Sequence, residues 1–291
     1  MVMQDDHIKA AKTRIRGLLW ISRLWKEKGY LRSFWDYYDK TRRLRLRLRE
    51  IMPPEVISRI VVLTGAGISA ESGIPVFRGA DGLWQGHKIE DVATAEAVAF
   101  NLPVVNDFFN KRRHEVAAVV PNHAHEALVK LEQVYGNDFI LVTQNIDPLH
   151  ERAGTKNLIH MHGELQRIRC DLCGESAPFF EDASAQTPCP LCEGRGGLRP
   201  DVVLFGEIPM RMEEIFVALN RCDLFIAIGT SGAVYPAAGF VDIANRAGAL
   251  TVEINAAETE RSPAFGQRLS GKASQIVPEF VASCIERKAF L

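Results

Sequence analysis

Two kinds of residue in this chain could do chemistry: paired cysteines, and glycine, amide, acid and imidazole groups at the ends of apolar runs. Cys170 and Cys173 form one Cys-x-x-Cys pair and Cys189 and Cys192 another, with 15 residues between them. Each pair turns tightly enough to present two sulfurs, and two pairs complete a tetrahedral Zn2+ shell. A shell closed by four thiolates leaves no position for water, so the ion it holds is structural. A redox dithiol and an iron–sulfur centre are the competing readings. The spacer GESAPFFEDASAQTP is polar and loop-rich. A module of that kind cannot bury a core, and metal supplies its stability instead. Cys222 and Cys284 stand outside the pattern and read as buried, inert thiols.

The second group begins with Gly65-Ala66-Gly67-Ile68-Ser69-Ala70, a G-x-G-x-x-A turn directly after the β-branched run Arg59–Thr64. Glycines let the backbone approach a pyrophosphate, and a following helix N-terminus offers N–H donors. A tight strand-to-helix turn without a ligand is the plainer alternative. Dehydrogenases place an acidic residue on a second strand about 20 residues later. Here that stretch, Val76–Glu90, is rich in Gly, Trp and charge and does not read as a strand. The nucleotide reading therefore survives while ordinary hydride transfer weakens. Three more polar clusters follow apolar runs: Gln144-Asn145-Ile146-Asp147, Gly229-Thr230-Ser231, and Asn255. His160 and His162 offer an imidazole with a pKa near working pH, suited to general-base work. Taken alone, His162 reads equally well as a structural histidine, Asn145 and Asp147 as a turn cap, and Ser231 as a helix cap.

The elements that must position these groups alternate. Arg59–Thr64, Phe139–Thr143, Leu224–Ile228 and Leu250–Ile254 are short, nearly continuous apolar runs, which suit strands buried on both faces of a parallel sheet. Asn122 caps a helix carrying Ala124, Leu128, Leu131 and Val134, closed by Gly136. Glu213–Asn220 and Pro236–Ala247 are further helices. The fold class is α/β: a Rossmann-like parallel sheet with helices on both faces, plus a small zinc-binding module and a helical insertion. Ligands in such sheets sit at the carboxyl ends of the strands, where all four polar clusters fall.

Composition bounds the rest. The 291 residues carry 35 basic and 36 acidic side chains, so the chain as a whole is not a polyelectrolyte. Residues 1–50 differ, with 14 Lys/Arg against 6 Asp/Glu and three of the four tryptophans. They read as an appended arm, partly helical, that packs loosely on the body, touches nucleic acid or an anionic membrane, or self-associates. No apolar run approaches the ~20 residues of a membrane span, and no secretory signal is evident. Thiol pairs arranged for metal fit a reducing compartment, and a cytoplasmic location is expected.

Seven motifs in order now carry a resemblance: GAGISAESGIPVFRG (65–79), TQNID (143–147), HMHGEL (160–165), the paired Cys-x-x-Cys, RPDVVLFGE (199–207), GTSGAVYPAAG (229–239) and EIN (253–255). Together they resemble the sirtuins, NAD-dependent protein lysine deacylases, and most of all the bacterial CobB type. The resemblance covers roughly residues 55–285. It implies a catalytic domain over 51–291. Its Rossmann-like part is about 51–77, 116–165 and 199–291, with the cofactor loop and helical insertion about 78–115 and the zinc module about 166–198.

The resemblance also implies a reaction between NAD and acylated lysine in peptides and proteins. The acyl oxygen attacks the ribose carbon bearing nicotinamide, nicotinamide leaves, and a histidine helps a ribose hydroxyl attack the resulting O-alkylamidate. The products are free lysine and O-acyl-ADP-ribose. His162 matches the catalytic histidine, with His160 behind it on the same strand face. Asn145 and Asp147 match the pair beside the nicotinamide ribose, and Gln144 a ribose contact. Gly65, Ala66, Gly67, Ser69, Phe77, Arg78, Gly229, Thr230, Ser231 and Asn255 match the rest of the cofactor site. Val203, Phe205 and Gly206, with Val234 and Tyr235, match the two segments that sandwich the peptide as an added strand. Ala93, Phe109 and Arg112 match the acyl pocket of members that remove succinyl and malonyl groups, except that Phe109 replaces a tyrosine. Arginine there pairs with a terminal carboxylate, and losing the phenol removes one hydrogen bond. Acidic acyl groups are thus expected to be accepted less tightly than in the tyrosine form. Pro148 is a second departure; it removes a backbone donor next to Asp147. Protein ADP-ribosyl transfer, which shares the nicotinamide-releasing step, is the alternative activity, and a non-enzymatic acyl-lysine or nucleotide binder the third.

Overall fold

The computed structural model describes residues 57–76, 84 and 86–289. The basic arm and the expected cofactor contacts Phe77 and Arg78 lie outside the described residues. In chain order the strands are β1 (Ile60–Thr64), β2 (Phe139–Thr143), β3 (Leu158–His160), β4 (Gly163–Cys170), β5 (Ser176–Pro178), β6 (Leu198–Val202), β7 (Leu224–Ile228), β8 (Leu250–Asn255) and β9 (Gln267–Ser270). The helices are α1 (Ala66–Ser69), α2 (Ile89–Val92), α3 (Ala95–Ala117), α4 (His123–Tyr135), α5 (Leu149–Ala153), α6 (Met212–Arg221), α7 (Phe240–Arg246) and α8 (Ala273–Ala289).

Six strands form one sheet in the order β3-β2-β1-β7-β8-β9, every neighbouring pair parallel. The near-continuous apolar runs have a simple cause. Along β1, Ile60 and Val62 face the core under α4 and α8, while Val61 and Leu63 face the core under α6 and α7. With both faces covered, the usual polar alternation disappears. The chain winds outward from β1 to β3, then crosses to β7 on the other side of β1. That reversal opens a crevice at the carboxyl ends of β1 and β7.

The expected helices form with small differences. Asn122 caps α4 by accepting from the Ala124 N–H at 2.9 Å, and its own N–H donates to His125 Nδ1 at 3.3 Å, a reciprocal capping box. Val134 is 37% exposed, so the buried stripe ends instead on Tyr135. The helix expected over Pro236–Ala247 starts as a 3-10 turn, Ala237–Gly239, before α7. The helix after the glycine turn is the single turn α1, continued by a 3-10 turn.

A second sheet, β5-β4-β6, is antiparallel and carries the cysteines. It starts at Gly163 and ends at Val202, a few residues beyond the span 166–198 expected for the metal module on either side. Helix α3 packs on β4 and β6 of this sheet and is kinked at Asn101 ahead of Pro103. One stripe of α3 (Val105, Phe108, Phe109, Val116) enters a core with Val92, Leu165 and Leu204. Another grips the metal module. Asn106 donates to Leu198 O, Asn110 donates to Ala183 O and accepts from its N–H, and Arg113 donates to Leu165 O and Glu181 O.

Candidate active site

The crevice at the sheet reversal encloses about 740 Å³, within the range of small-molecule sites. Its floor is a contact between two turns. The Gly65 and Gly67 amides donate to Ile228 O and Gly229 O, at 3.0 and 2.9 Å. A Cβ on Gly67 would sit 2.6 Å from the Gly229 Cα. Gly229 itself has φ +61°, and a Cβ there would meet the Ile68 nitrogen at 2.5 Å. The glycines are therefore required by turn-to-turn packing before any phosphate arrives. Gly65, Ala66 and Gly67 line the crevice with Gly229, Thr230 and Ser231. Asn255 lines it too, but its amide donates to Thr230 O at 2.7 Å and so holds the β7 turn. Ser231 Oγ accepts from the Ala233 N–H at 3.3 Å, a local turn bond rather than the helix cap its residue type suggested.

The loop after β2 supplies the reactive side of the crevice. Gln144 N donates to Thr64 O at 2.9 Å, fastening the loop to β1. The Asn145 amide donates to Gly65 O at 3.2 Å and to Ser69 Oγ at 3.1 Å. Ser69 Oγ in turn donates to Asp147 Oδ2 at 3.0 Å, and the Leu149 N–H donates to Oδ1 at 3.1 Å. Ser69, expected to touch the cofactor, is fully buried behind the crevice and acts as the link between Asn145 and Asp147. Asp147 both caps the start of α5 and lines the crevice. Burial raises its pKa against the opposing pull of Leu149, Ser69 and the nearby His160 charge. Pro148 occupies the N-cap of α5. A missing N–H costs little at a helix start, and Leu149 provides the donor to Asp147, so the departure leaves the loop intact.

Two histidines hold consecutive carbonyls of this loop. His162 Nδ1 lies 3.1 Å from Gln144 O, and His160 Nδ1 lies 3.1 Å from Asn145 O. Strand β3 ends at His160, so His162 sits in the following turn rather than on the same strand face. His162 lines the crevice. A carbonyl accepts only, so His162 Nδ1 carries the hydrogen and Nε2 of the neutral ring is a bare acceptor. Burial lowers its pKa below 6.5 despite the Gln144 bond, which keeps that form dominant near neutrality.

At the far end Ala93, Phe109 and Arg112 line the same crevice, together with Trp84. Phe109 meets Trp84 and Phe108 edge to face, at centroid distances of 5.8 and 5.2 Å. The Arg112 guanidinium lies 3.5 Å from the Phe108 ring centroid and donates to Phe108 O. Glu115, one turn on, lines the mouth. Burial lowers the Arg112 pKa, with Glu115 and Asp107 opposing. Arg112 remains a cation throughout the working range. The segment Val203–Gly206 forms one wall with Val234 and Tyr235 opposite. It is fixed by Val203 N to His162 O at 2.8 Å and Phe205 N to Ala93 O at 2.9 Å. Below it Arg199 donates twice to Glu207, at 2.8 and 2.9 Å, and Glu207 accepts from Leu204 N.

The four cysteines meet as their spacing requires. Cys170 and Cys192 sulfurs are 3.8 Å apart, Cys173 and Cys189 sulfurs 4.0 Å, and all four lie within 4.8 Å of one another. Sulfurs bound to zinc at about 2.3 Å stand about 3.8 Å apart on a tetrahedron, whereas a disulfide needs about 2.05 Å. The group thus fits one structural Zn2+.

The Sir2 family model matches residues 65–236. An NAD-dependent protein deacylase of Bdellovibrio bacteriovorus is 53% identical over 237 residues, covering 81% of this chain and all of that protein. The chain belongs to the Sir2 family. Among solved structures, a Sir2 homologue in complex with NAD is 39% identical, with a TM-score of 0.72 over 81% of this chain and 91% of that one. A Sir2 variant with a deacetylated peptide and 3'-O-acetyl ADP-ribose is 31% identical, with a TM-score of 0.66 over 79% and 93%.

Within this Sir2 chain, some crevice residues escaped the sequence reading. Val116 continues the helical stripe of Phe109 and Arg112, a signal that was present, and Val119 lies just beyond the end of α3. Glu258, Thr259 and Glu260 also line the crevice, and no local pattern marks them.

Proposed function

We propose that this Sir2-family chain is an NAD-dependent protein lysine deacylase that removes acetyl groups and also succinyl and malonyl groups, the acidic ones held less tightly than a tyrosine in place of Phe109 would hold them. One observation carries the reading: a neutral imidazole with a bare Nε2, His162, opens into the same crevice as the glycine turns and the Asn145–Asp147 pair. NAD, when bound, supplies an electrophilic ribose carbon and nicotinamide as leaving group. The protein's own groups do the rest. The Gly65–Gly67 and Gly229–Ser231 turns hold the diphosphate end. Asn145, whose amide N–H groups are taken by Gly65 and Ser69, presents its side-chain oxygen to the nicotinamide ribose, and Asp147 lines the crevice beside it. His162 Nε2 takes the ribose hydroxyl proton. Val203–Gly206 and Val234–Tyr235 hold the acyl-lysine peptide as an added strand through main-chain bonds, which demand little of its sequence. Arg112 faces the acyl terminus.

The four sulfurs support one bound Zn2+ and a reducing, cytoplasmic setting. No described helix is long and apolar enough to cross a membrane. The test is product analysis by mass spectrometry with NAD and an acetyl-lysine peptide. Nicotinamide and O-acetyl-ADP-ribose are expected in equal amounts with deacetylated peptide. ADP-ribose attached to protein, with the acetyl group left on the peptide, overturns the reading.

A further inference from the structure

The loop after β2 is held by two histidines, and only His162 faces the crevice. His160 Nδ1 lies 3.1 Å from the Asn145 carbonyl, and its Nε2 lies 2.6 Å from Glu151 Oε1. Neither partner can donate, because a carbonyl and an ionised carboxylate only accept. Both ring nitrogens therefore carry hydrogens, and the ring is an imidazolium. Its side chain is 10% exposed, so solvent screens it little. The groups facing it come from three elements: Glu151 and His150 of α5, Glu164 of β4, and Asp147 of the loop. A His160 ring nitrogen and a carboxylate oxygen each from Glu151 and Glu164 all lie within 4.8 Å of one another.

We propose that His160, charged and anchored by Glu151, is a positioning residue for the Sir2 reaction: it grips the Asn145 carbonyl and so holds Asn145 and Asp147 in their crevice-facing places. The inference rests on the reading of that loop as the reacting one. Burial alone would lower the His160 pKa, but Glu151, Glu164 and the Asn145 carbonyl outweigh it and raise it above 6.5. When the ring does lose a proton, the remaining hydrogen stays on Nε2, because a carboxylate at 2.6 Å is the stronger acceptor. Nδ1 then becomes an acceptor facing a carbonyl oxygen, and the grip on Asn145 is lost. Activity should therefore fall on the alkaline side as His160 deprotonates.

The experiment is the pH profile of kcat/KM for NAD in the intact protein, for wild type, Glu151→Gln and Glu164→Gln. Glu151→Gln keeps an acceptor of the same shape and removes the charge. Its descending limb should move down by about one pH unit, with the ascending limb of His162 unmoved. Glu164→Gln should shift the same limb the same way by less. Histidine ring NMR at neutral pH should show two protonated nitrogens on His160. A Glu151→Gln profile that superimposes on wild type, or a neutral His160 ring, overturns this role alone. A wild type that does not turn over NAD with an acyl-lysine peptide overturns the loop reading and this inference together.

Discussion

Residues two apart in this chain take opposite protonation states because their partners differ. His162 has one acceptor and stays neutral; His160 has two and is charged. Sequence offered two histidines and no means to rank them beyond family resemblance, since the deciding carbonyls belong to a loop some 15 residues earlier. The glycine motif was legible for a different reason than the phosphate it suggested. Gly67 faces Gly229 at backbone contact, so Gly67→Ala should lower unfolding stability by about 1–3 kcal/mol, read from denaturant midpoints, as overpacking does. An unchanged midpoint would show that the turns can part freely. Phe109 is a packed ring with a 1% exposed side chain beside Arg112. Phe109→Tyr should raise kcat/KM on succinyl-lysine peptides several-fold, about one hydrogen bond to a charged acceptor, with little change on acetyl-lysine. Equal activity of the two forms on succinyl peptide would remove Phe109 from acyl selection.

The elements show why four parallel strands could be read from the sequence and the second sheet could not. β1, β2 and β7 are covered on both faces, and their apolar runs are nearly continuous; β8 is interrupted by Thr251 and Glu253, both buried. β4 alternates, β5 has three residues, and β6 contains Arg199, Pro200 and Asp201; their order comes from the metal cluster, from α3 and from a small core of Ile168, Ala183 and Leu198. Helix α3 joins that module to the crevice, with Asn106, Asn110 and Arg113 on one stripe and Phe109 and Arg112 on the next. Removing zinc with a chelator should therefore do two things. It should release about one equivalent of zinc with loss of the fold around Cys170–Cys192, and it should abolish deacylation through α3. Metal analysis and circular dichroism at matched chelator concentrations check this. A zinc-free protein with wild-type turnover would contradict the coupling.

Among the described residues, His125 and His150 are fully buried and take no part in the reaction. They meet between α4 and α5 with ring centroids 4.9 Å apart and planes tilted by 58°. Burial lowers the His125 pKa to about 4 and pushes His150 well below 6.5. Above pH 6.5 both are neutral folded or unfolded. Between pH 6.5 and about 4 the unfolded chain binds protons that the folded chain refuses, so stability is lost as pH falls. His125 alone accounts for about 3 kcal/mol across that window, and His150 adds in the same direction. His160 works oppositely, its contribution full below 6.5 and lost as pH rises past its elevated pKa. Urea titrations at pH 7, 6, 5 and 4 should show the acid loss, and a His125→Gln variant a shallower slope. The central claim, that His162 is the base of a deacylase site assembled from four strand ends, is tested most directly by His162→Ala. NAD affinity by calorimetry should stay within a few-fold of wild type, while deacylation kcat falls by about 10²–10⁴. Turnover at the wild-type rate without the imidazole would contradict the account.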